Sequence, residues 1–224
     1  MLTVFFQRSL KLLAIANISL RRLWFGAKLP PPTIFYFAYG ANLDAKRFEK
    51  YGANVLPVGV GYLDDYSLQF TMPCEYIGKG YASIETEPGE RVWGYLYKVD
   101  RAALLLLDII EYAFLRHYDR VKVDVKLAAG EIHSSFTYRT PLPTSGLMPS
   151  TSYKTAILRS SRSHNFPKAY IERIDQLVAK DTFELDPSYS ITFPRWRRPL
   201  PGLFSPLYRI HDRMAEAVSN LLRF

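Results

Sequence analysis

Two carboxylates, Asp108 and Glu111, lie three residues apart where the leucine-rich segment Arg101 to Ile110 ends. On a helix that spacing puts both on one face. Apolar surroundings disfavour a charged carboxylate and raise its pKa toward neutrality, the range in which a carboxyl group exchanges protons well. A glutamate at a helix end equally fits a surface ion pair, for instance with Arg116, and the residues alone leave both readings open. Asp108 reads as a structural hydrogen-bonding partner. A second feature is the β-branched and aromatic run Thr33 to Tyr39, which ends at Gly40 before a helix-like stretch, Asp44 to Tyr51. A strand, a glycine turn and a helix start present several backbone N–H groups in one direction. Such a turn suits a carboxylate or a developing oxyanion, although a plain strand-to-helix turn has the same pattern.

The signatures of other chemistries are missing. There is no G-x-S-x-G elbow, no phosphate-binding G-x-x-x-x-G-K-[ST] loop and no H-E-x-x-H. His117, His133, His164 and His211 have no metal-ligand spacing, and Gly78-Lys79-Gly80 reads as a turn. The single cysteine, Cys74, excludes an internal disulfide and reads as a buried packing residue, which fits a reducing compartment such as the cytoplasm. Neither a cofactor nor a metal is expected.

Four stretches in order resemble the γ-glutamyl cyclotransferase family, whose fold is also called AIG2-like. Tyr36-Phe37-Ala38-Tyr39-Gly40-Ala41-Asn42-Leu43 is similar to Y-F-A-Y-G-S-N-L/M, with Ala41 in place of serine. Gly80-Tyr81-Ala82-Ser83-Ile84 followed by Pro88-Gly89 and Val92-Trp93-Gly94-Tyr95-Leu96-Tyr97 resembles A-S-I…P-G…V-W-G-x-L-Y. Leu107-Asp108-Ile109-Ile110-Glu111 matches L-D-x-x-E. Pro149-Ser150-Thr151-Ser152-Tyr153 matches P-S-x-x-Y, and Phe166-Pro167 with Tyr170 echoes L-P-x-x-Y. The likeness spans about 145 of 224 residues.

This resemblance implies an enzyme that releases 5-oxoproline from γ-glutamyl amino acids or peptides, with Glu111 as its acid/base residue. The same carry-over gives substrate contact to Tyr36, Phe37, Ala38, Tyr39, Gly40, Ala41 and Asn42, to Tyr153, and to Tyr118. Asn42 separates the chain from related classes that show Y-G-T-L or Y-G-S-L at this turn. Two departures bear on the substrate. Tyr112 stands where the family usually has glycine, and Ser160-Ser161-Arg162 stands where it commonly shows G-A-R or G-A-K. The alternative reading is a non-catalytic binding or membrane-associated adaptor on the same fold.

The elements that must position these residues follow from periodicity and turn signals. Further strands are expected over Val58 to Tyr62, Tyr66 to Thr71, Tyr81 to Glu85, Arg91 to Val99, Arg120 to Leu127 and Ile132 to Tyr138. Helices are expected over Arg101 to Ile110 with Asp100 as N-cap, over Ser152 to Ser163 capped by Ser150 or Thr151, and over Lys168 to Val178. The fold class is α/β (α+β), with a mixed, curved sheet of about five to seven strands flanked by helices. The resemblance implies that the sheet is barrel-like.

Three regions are expected: a basic apolar extension over 1–32, the folded domain over 33–180, and a proline-rich connector with a basic helix over 181–224. Of the net charge of +8, residues 1–43 carry +5 and residues 192–224 carry +4, leaving −1 for the middle. The central domain therefore gives no reason to expect nucleic acid, and its partner is expected to be a small γ-glutamyl molecule. Arg8 and Lys11 interrupt the first apolar run well short of the roughly 20 residues that span a bilayer. Peripheral membrane contact through residues 1–28, organelle targeting, or packing on the domain remain as readings of that run. The sequence sets no oligomeric state.

Overall fold

The computed structural model describes residues 34–49, 55–74, 76–111, 113, 117–182 and 184. The expected extensions over 1–32 and beyond 184, together with Tyr112 and Arg116, lie outside the described residues. Among those described, five strands close a barrel in the order β1-β3-β2-β4-β5. The strands are β1 (Ile34–Ala38), β2 (Val55–Pro73), β3 (Gly80–Val99), β4 (Asp119–Leu127) and β5 (Ile132–Arg139). A 3-10 turn (Ala41–Leu43) and the short helix α1 (Lys46–Glu49) follow β1; α2 (Arg101–Ile110) joins β3 to β4, and α3 (Thr151–Ser163) and α4 (Lys168–Asp175) end the described chain. The sheet is mixed, because β1 runs parallel to β5 at Tyr36 and Phe136 while the other pairings are antiparallel.

The four strand segments expected between Val58 and Val99 are halves of two long strands. Asp64-Asp65 and Pro88-Gly89 resemble turns in sequence, yet they form a bulge inside one continuous hairpin. Pairing passes from Asp64 with Arg91 to Tyr66 with Thr86, so the longer β3 segment is pushed outward there. Asp65 and Gly89 take left-handed φ values of 63° and 82°, and the Gly89 N–H donates to Asp65 Oδ1 at 2.9 Å. Such bulges bend a strand and increase its twist, which lets two strands of about 20 residues curl into a small barrel.

The helix ends follow local hydrogen bonding. Asp100 caps α2 through Oδ1 to the Ala103 N–H at 2.7 Å, and Ser150 caps α3 through Oγ to the Tyr153 N–H at 3.2 Å. Helix α4 stops at Asp175, short of the expected Val178. There Lys154 Nζ donates to the carbonyls of Asp175 and Leu177, at 3.0 and 2.9 Å, and so takes up acceptors at the helix end. Ser160 and Ser161 are both buried within α3, so hydroxyls pack where the family commonly has glycine and alanine. Cys74 is buried, as a packing residue should be.

The core gathers Phe37, Leu43, Leu63, Ile84, Val92, Leu96 and Leu107, all essentially inaccessible. Gly94 is required by close packing: a Cβ there would sit 2.4 Å from both the Ala38 carbonyl oxygen and Phe37 Cζ. Gly59, in contrast, has nothing within 4 Å of that position. Gly94→Ala is expected to destabilise the fold by about 1–3 kcal/mol, as overpacking does. Gly59→Ala is expected to stay within about 0.5 kcal/mol. Urea unfolding of the two variants checks the contrast.

Candidate active site

The C-terminus of β1 delivers the chain into the Gly40 bend, and the C-terminus of α2 delivers Glu111 to the same place. The Glu111 N–H still bonds to the Leu107 carbonyl at 2.8 Å, so the helical turn fixes its Cα. Its carboxylate is then met by a residue of the bend. Asn42 Nδ2 donates to Glu111 Oε1 at 2.7 Å and to the Tyr36 hydroxyl oxygen at 2.9 Å. A primary amide has two N–H donors, and both are directed. The reverse amide orientation would put a carbonyl oxygen against a carboxylate, so the donor assignment follows from chemistry. Asn42 is 6% exposed, which makes its amide expensive to leave unpaired.

The bend itself is anchored at its far side. The Leu43 carbonyl accepts from the Tyr97 hydroxyl at 3.1 Å and lies 2.8 Å from His164 Nε2. The Leu43 N–H closes the 3-10 turn on the Gly40 carbonyl at 3.1 Å. The first N–H groups of such a turn have no acceptor inside it. Gly40 has an ordinary negative φ, and its need for glycine is spatial. A Cβ there would lie 3.2 Å from the Tyr153 hydroxyl and 3.3 Å from Ala82 Cβ.

Three tyrosines complete the cluster. The Tyr118 hydroxyl donates to the Ala82 carbonyl at 2.8 Å, and the Tyr153 hydroxyl accepts from the Ala82 N–H at 3.4 Å, so one β3 residue holds both phenols. Tyr39 donates to the Tyr138 carbonyl. Burial, reinforced by the Glu111 charge, pushes the Tyr39 phenol well above its ordinary value. Burial does the same to Tyr118, with Tyr39, Tyr153 and Glu111 adding to it. Both phenols therefore stay protonated at neutral pH and act as hydrogen-bonding groups.

The residues expected from sequence thus separate into two sets. Tyr36, Tyr39, Gly40, Asn42, Glu111, Tyr118 and Tyr153 converge around the bend. Phe37 and Ala38 are core residues by side chain, and Ala41 is half-buried in the turn. The Phe37 carbonyl is also taken, by Thr137 Oγ1 at 2.8 Å. Asp108 has the structural role expected of it, accepting from the Tyr138 hydroxyl at 2.8 Å and pairing with Arg120 Nε at 3.2 Å. Sequence reasoning missed two participants, the backbone of Ala82 and the buried Glu85, whose charge also reaches Tyr39; it placed Asn42 at the site as a substrate contact without its bond to Glu111. Ala82 and Glu85 carry no local signal, because their roles arise from strand register. Among the described residues no group of His, Cys, Asp and Glu is arranged to hold a metal ion, and no helix is long and apolar enough to cross a membrane.

Comparison with known proteins points the same way. The model of the AIG2-like family matches residues 91–174, a span that includes Glu111 and Tyr153. The human protein named γ-glutamylcyclotransferase is 29% identical over 155 residues, covering 66% of this chain and 81% of its own length. The bovine protein of that name is 28% identical over 153 residues, with the same coverages. A solved γ-glutamyl cyclotransferase shares the fold with a TM-score of 0.60 at 24% identity, over 70% of this chain and 95% of that one. The crystal structure of YkqA from Bacillus subtilis superposes with a TM-score of 0.58 at 26% identity, over 71% of this chain and 60% of that one. The chain thus resembles the AIG2-like family model over part of its length, and proteins named γ-glutamylcyclotransferase over about two thirds of it.

His117, just before Tyr118, is buried and gives the site a pH signature in stability. Burial lowers its pKa from 6.5 to about 4. Between those values the unfolded chain binds a proton that the folded chain refuses, so stability falls as pH drops through that window. The loss should reach about 2–3 kcal/mol near pH 4.5. Denaturant unfolding at pH 7 and pH 4.5 is expected to show this extra loss in the native chain and not in His117→Gln; equal losses would contradict it.

Proposed function

We propose that the protein is a γ-glutamyl cyclotransferase that converts γ-glutamyl amino acids or peptides to 5-oxoproline and a free amine, with Glu111 as its acid/base residue. The observation that carries this reading is the Glu111 carboxylate fixed against the Gly40 bend by Asn42 at 2.7 Å. The similarity to proteins named for this activity supports it.

In the proposed reaction the substrate supplies its own nucleophile. The α-amine nitrogen bonds to the γ-carbonyl carbon, closing a five-membered lactam, and the amide bond to the acceptor nitrogen breaks. An α-amino group has a pKa of about 8, so near neutral pH most of it is protonated and cannot attack. The Glu111 carboxylate takes that proton and then gives it to the departing nitrogen, acting first as base and then as acid. Charge develops on the γ-carbonyl oxygen as the ring closes. Backbone N–H groups of the bend and the hydroxyl of Tyr153 are the donors suited to the glutamyl carboxylate and to this oxygen. Asn42 holds the acid/base group in one orientation, which shortens the search for a reactive geometry.

The test is 5-oxoproline release from a panel of γ-glutamyl dipeptides. Glu111→Gln keeps the size and the hydrogen-bonding capacity of the side chain but cannot accept the proton, and is expected to lower kcat by about 10²- to 10⁴-fold with the fold intact. Asn42→Ala leaves the carboxylate in place without its clamp, and is expected to cost about 10-fold or more. Full activity in Glu111→Gln would exclude this mechanism.

A further inference from the structure

A second buried carboxylate stands near the site, already paired to an arginine. Glu85 accepts from Thr71 Oγ1 at 2.8 Å through Oε1, while its Oε2 receives Arg139 Nη2 at 2.7 Å and Nε at 3.3 Å. The Glu85 side chain is 12% exposed and that of Arg139 is 34% exposed. Strand β1 lies between β3 and β5 in the closed sheet, so this pair bridges strands that are not hydrogen-bonded neighbours. Residues two apart on a strand share a face, which puts Ser83 with Glu85 and Thr137 with Arg139. The contact shows that those two faces meet.

This pair connects to the bend on both sides. Tyr39 donates to the carbonyl of Tyr138, the residue preceding Arg139. The N–H of Thr140, the residue after Arg139, donates to Ser83 Oγ at 3.1 Å, one position beyond the Ala82 backbone that holds Tyr118 and Tyr153. The backbone on either side of Arg139 is therefore tied to the two segments that frame the site. Glu85 occupies one edge of its guanidinium, through Nε and Nη2. The Nη1 nitrogen makes no hydrogen bond to another described residue. A planar, permanently charged fork fixed on one edge and open on another is preorganised for a carboxylate.

We propose that Arg139, held in place by Glu85, recognises the carboxylate of the acceptor amino acid and so sets a preference for γ-glutamyl amino acids over γ-glutamyl amides. The proposal rests on the cyclotransferase reading given above. In that reading the glutamyl end lies at the bend and the acceptor nitrogen leaves beside Glu111. An acceptor α-amino acid carries its carboxylate only two bonds from that nitrogen, so a cation is needed close to the bend. Arg139 is a cation in the stretch of chain whose backbone is bonded to Tyr39 and Ser83, and Glu85 limits its side-chain freedom before the ligand arrives.

The test compares γ-glutamyl-alanine with γ-glutamyl-alaninamide, which differ only in the acceptor carboxylate. Their binding is measured by calorimetry in Glu111→Gln protein, where turnover does not interfere, and again after adding Arg139→Gln. The acid is expected to bind on the order of 10-fold tighter than the amide, and the preference to disappear without Arg139. In enzyme with Glu111 intact, the same loss should appear in KM for the acid more than in kcat. Arg139→Gln strands a buried carboxylate, so Glu85→Gln/Arg139→Gln serves where the single variant fails to fold. Glu85→Gln alone retains the preference. Equal binding of acid and amide at the outset, absence of binding, survival of the preference without Arg139, or equal weakening of both ligands would overturn the assignment. Should the native enzyme release no 5-oxoproline while the binding preference still depends on Arg139, the cyclotransferase reading fails and the recognition site stands.

Discussion

The site depends on a single hydrogen-bonded clamp, the Asn42 amide between the Glu111 carboxylate and the Tyr36 hydroxyl. It joins three elements that the chain makes at separate times: strand β1, the turn after it, and the end of helix α2. A charged acceptor makes this bond stronger than one between neutral groups, and partial burial keeps water from competing freely for it. The rest of the barrel serves to bring the two ends of the clamp together. Tyr97 and His164 hold the Leu43 carbonyl and thereby the turn, while Asp108 binds the Tyr138 hydroxyl and ties α2 to β5.

Phenols surround this clamp, and the way they are held explains why they do not compete with the carboxylate for protons. Tyr39 and Tyr118 are buried beside a negative charge, and both conditions oppose their ionisation. They remain donors. Their hydroxyls are directed by backbone carbonyls of β5 and β3, so strand register sets their positions to within a hydrogen-bond length. Glu111 is thus left as the acidic group of the cluster that the proposed reaction uses, with neutral donors around it.

Much of this was legible in the residues. The run ending at Gly40, the Asp100 cap, the span of α2 and the L-D-x-x-E spacing could each be read locally, because each expresses itself within a few positions of chain. Two kinds of information could not. The Asp64-Asp65 and Pro88-Gly89 pairs look like turns, since nothing in a single strand says that two irregularities will face each other and become one bulge. The Ala82 backbone and the Glu85–Arg139 pair are products of strand pairing and closure across long sequence separations. Asn42 lies between these cases: its place beside Gly40 was visible, but its contact with a residue 69 positions away was not.

The central claim is that the carboxylate at position 111 exchanges its proton with the substrate's α-amine. A structure of the Glu111→Gln protein with a γ-glutamyl dipeptide bound tests it most directly. The account predicts the α-amine within about 3 Å of the side chain at position 111, and the glutamyl carboxylate against the Gly40 bend. A dipeptide bound with its α-amine turned away from position 111, or seated elsewhere on the barrel, would contradict it.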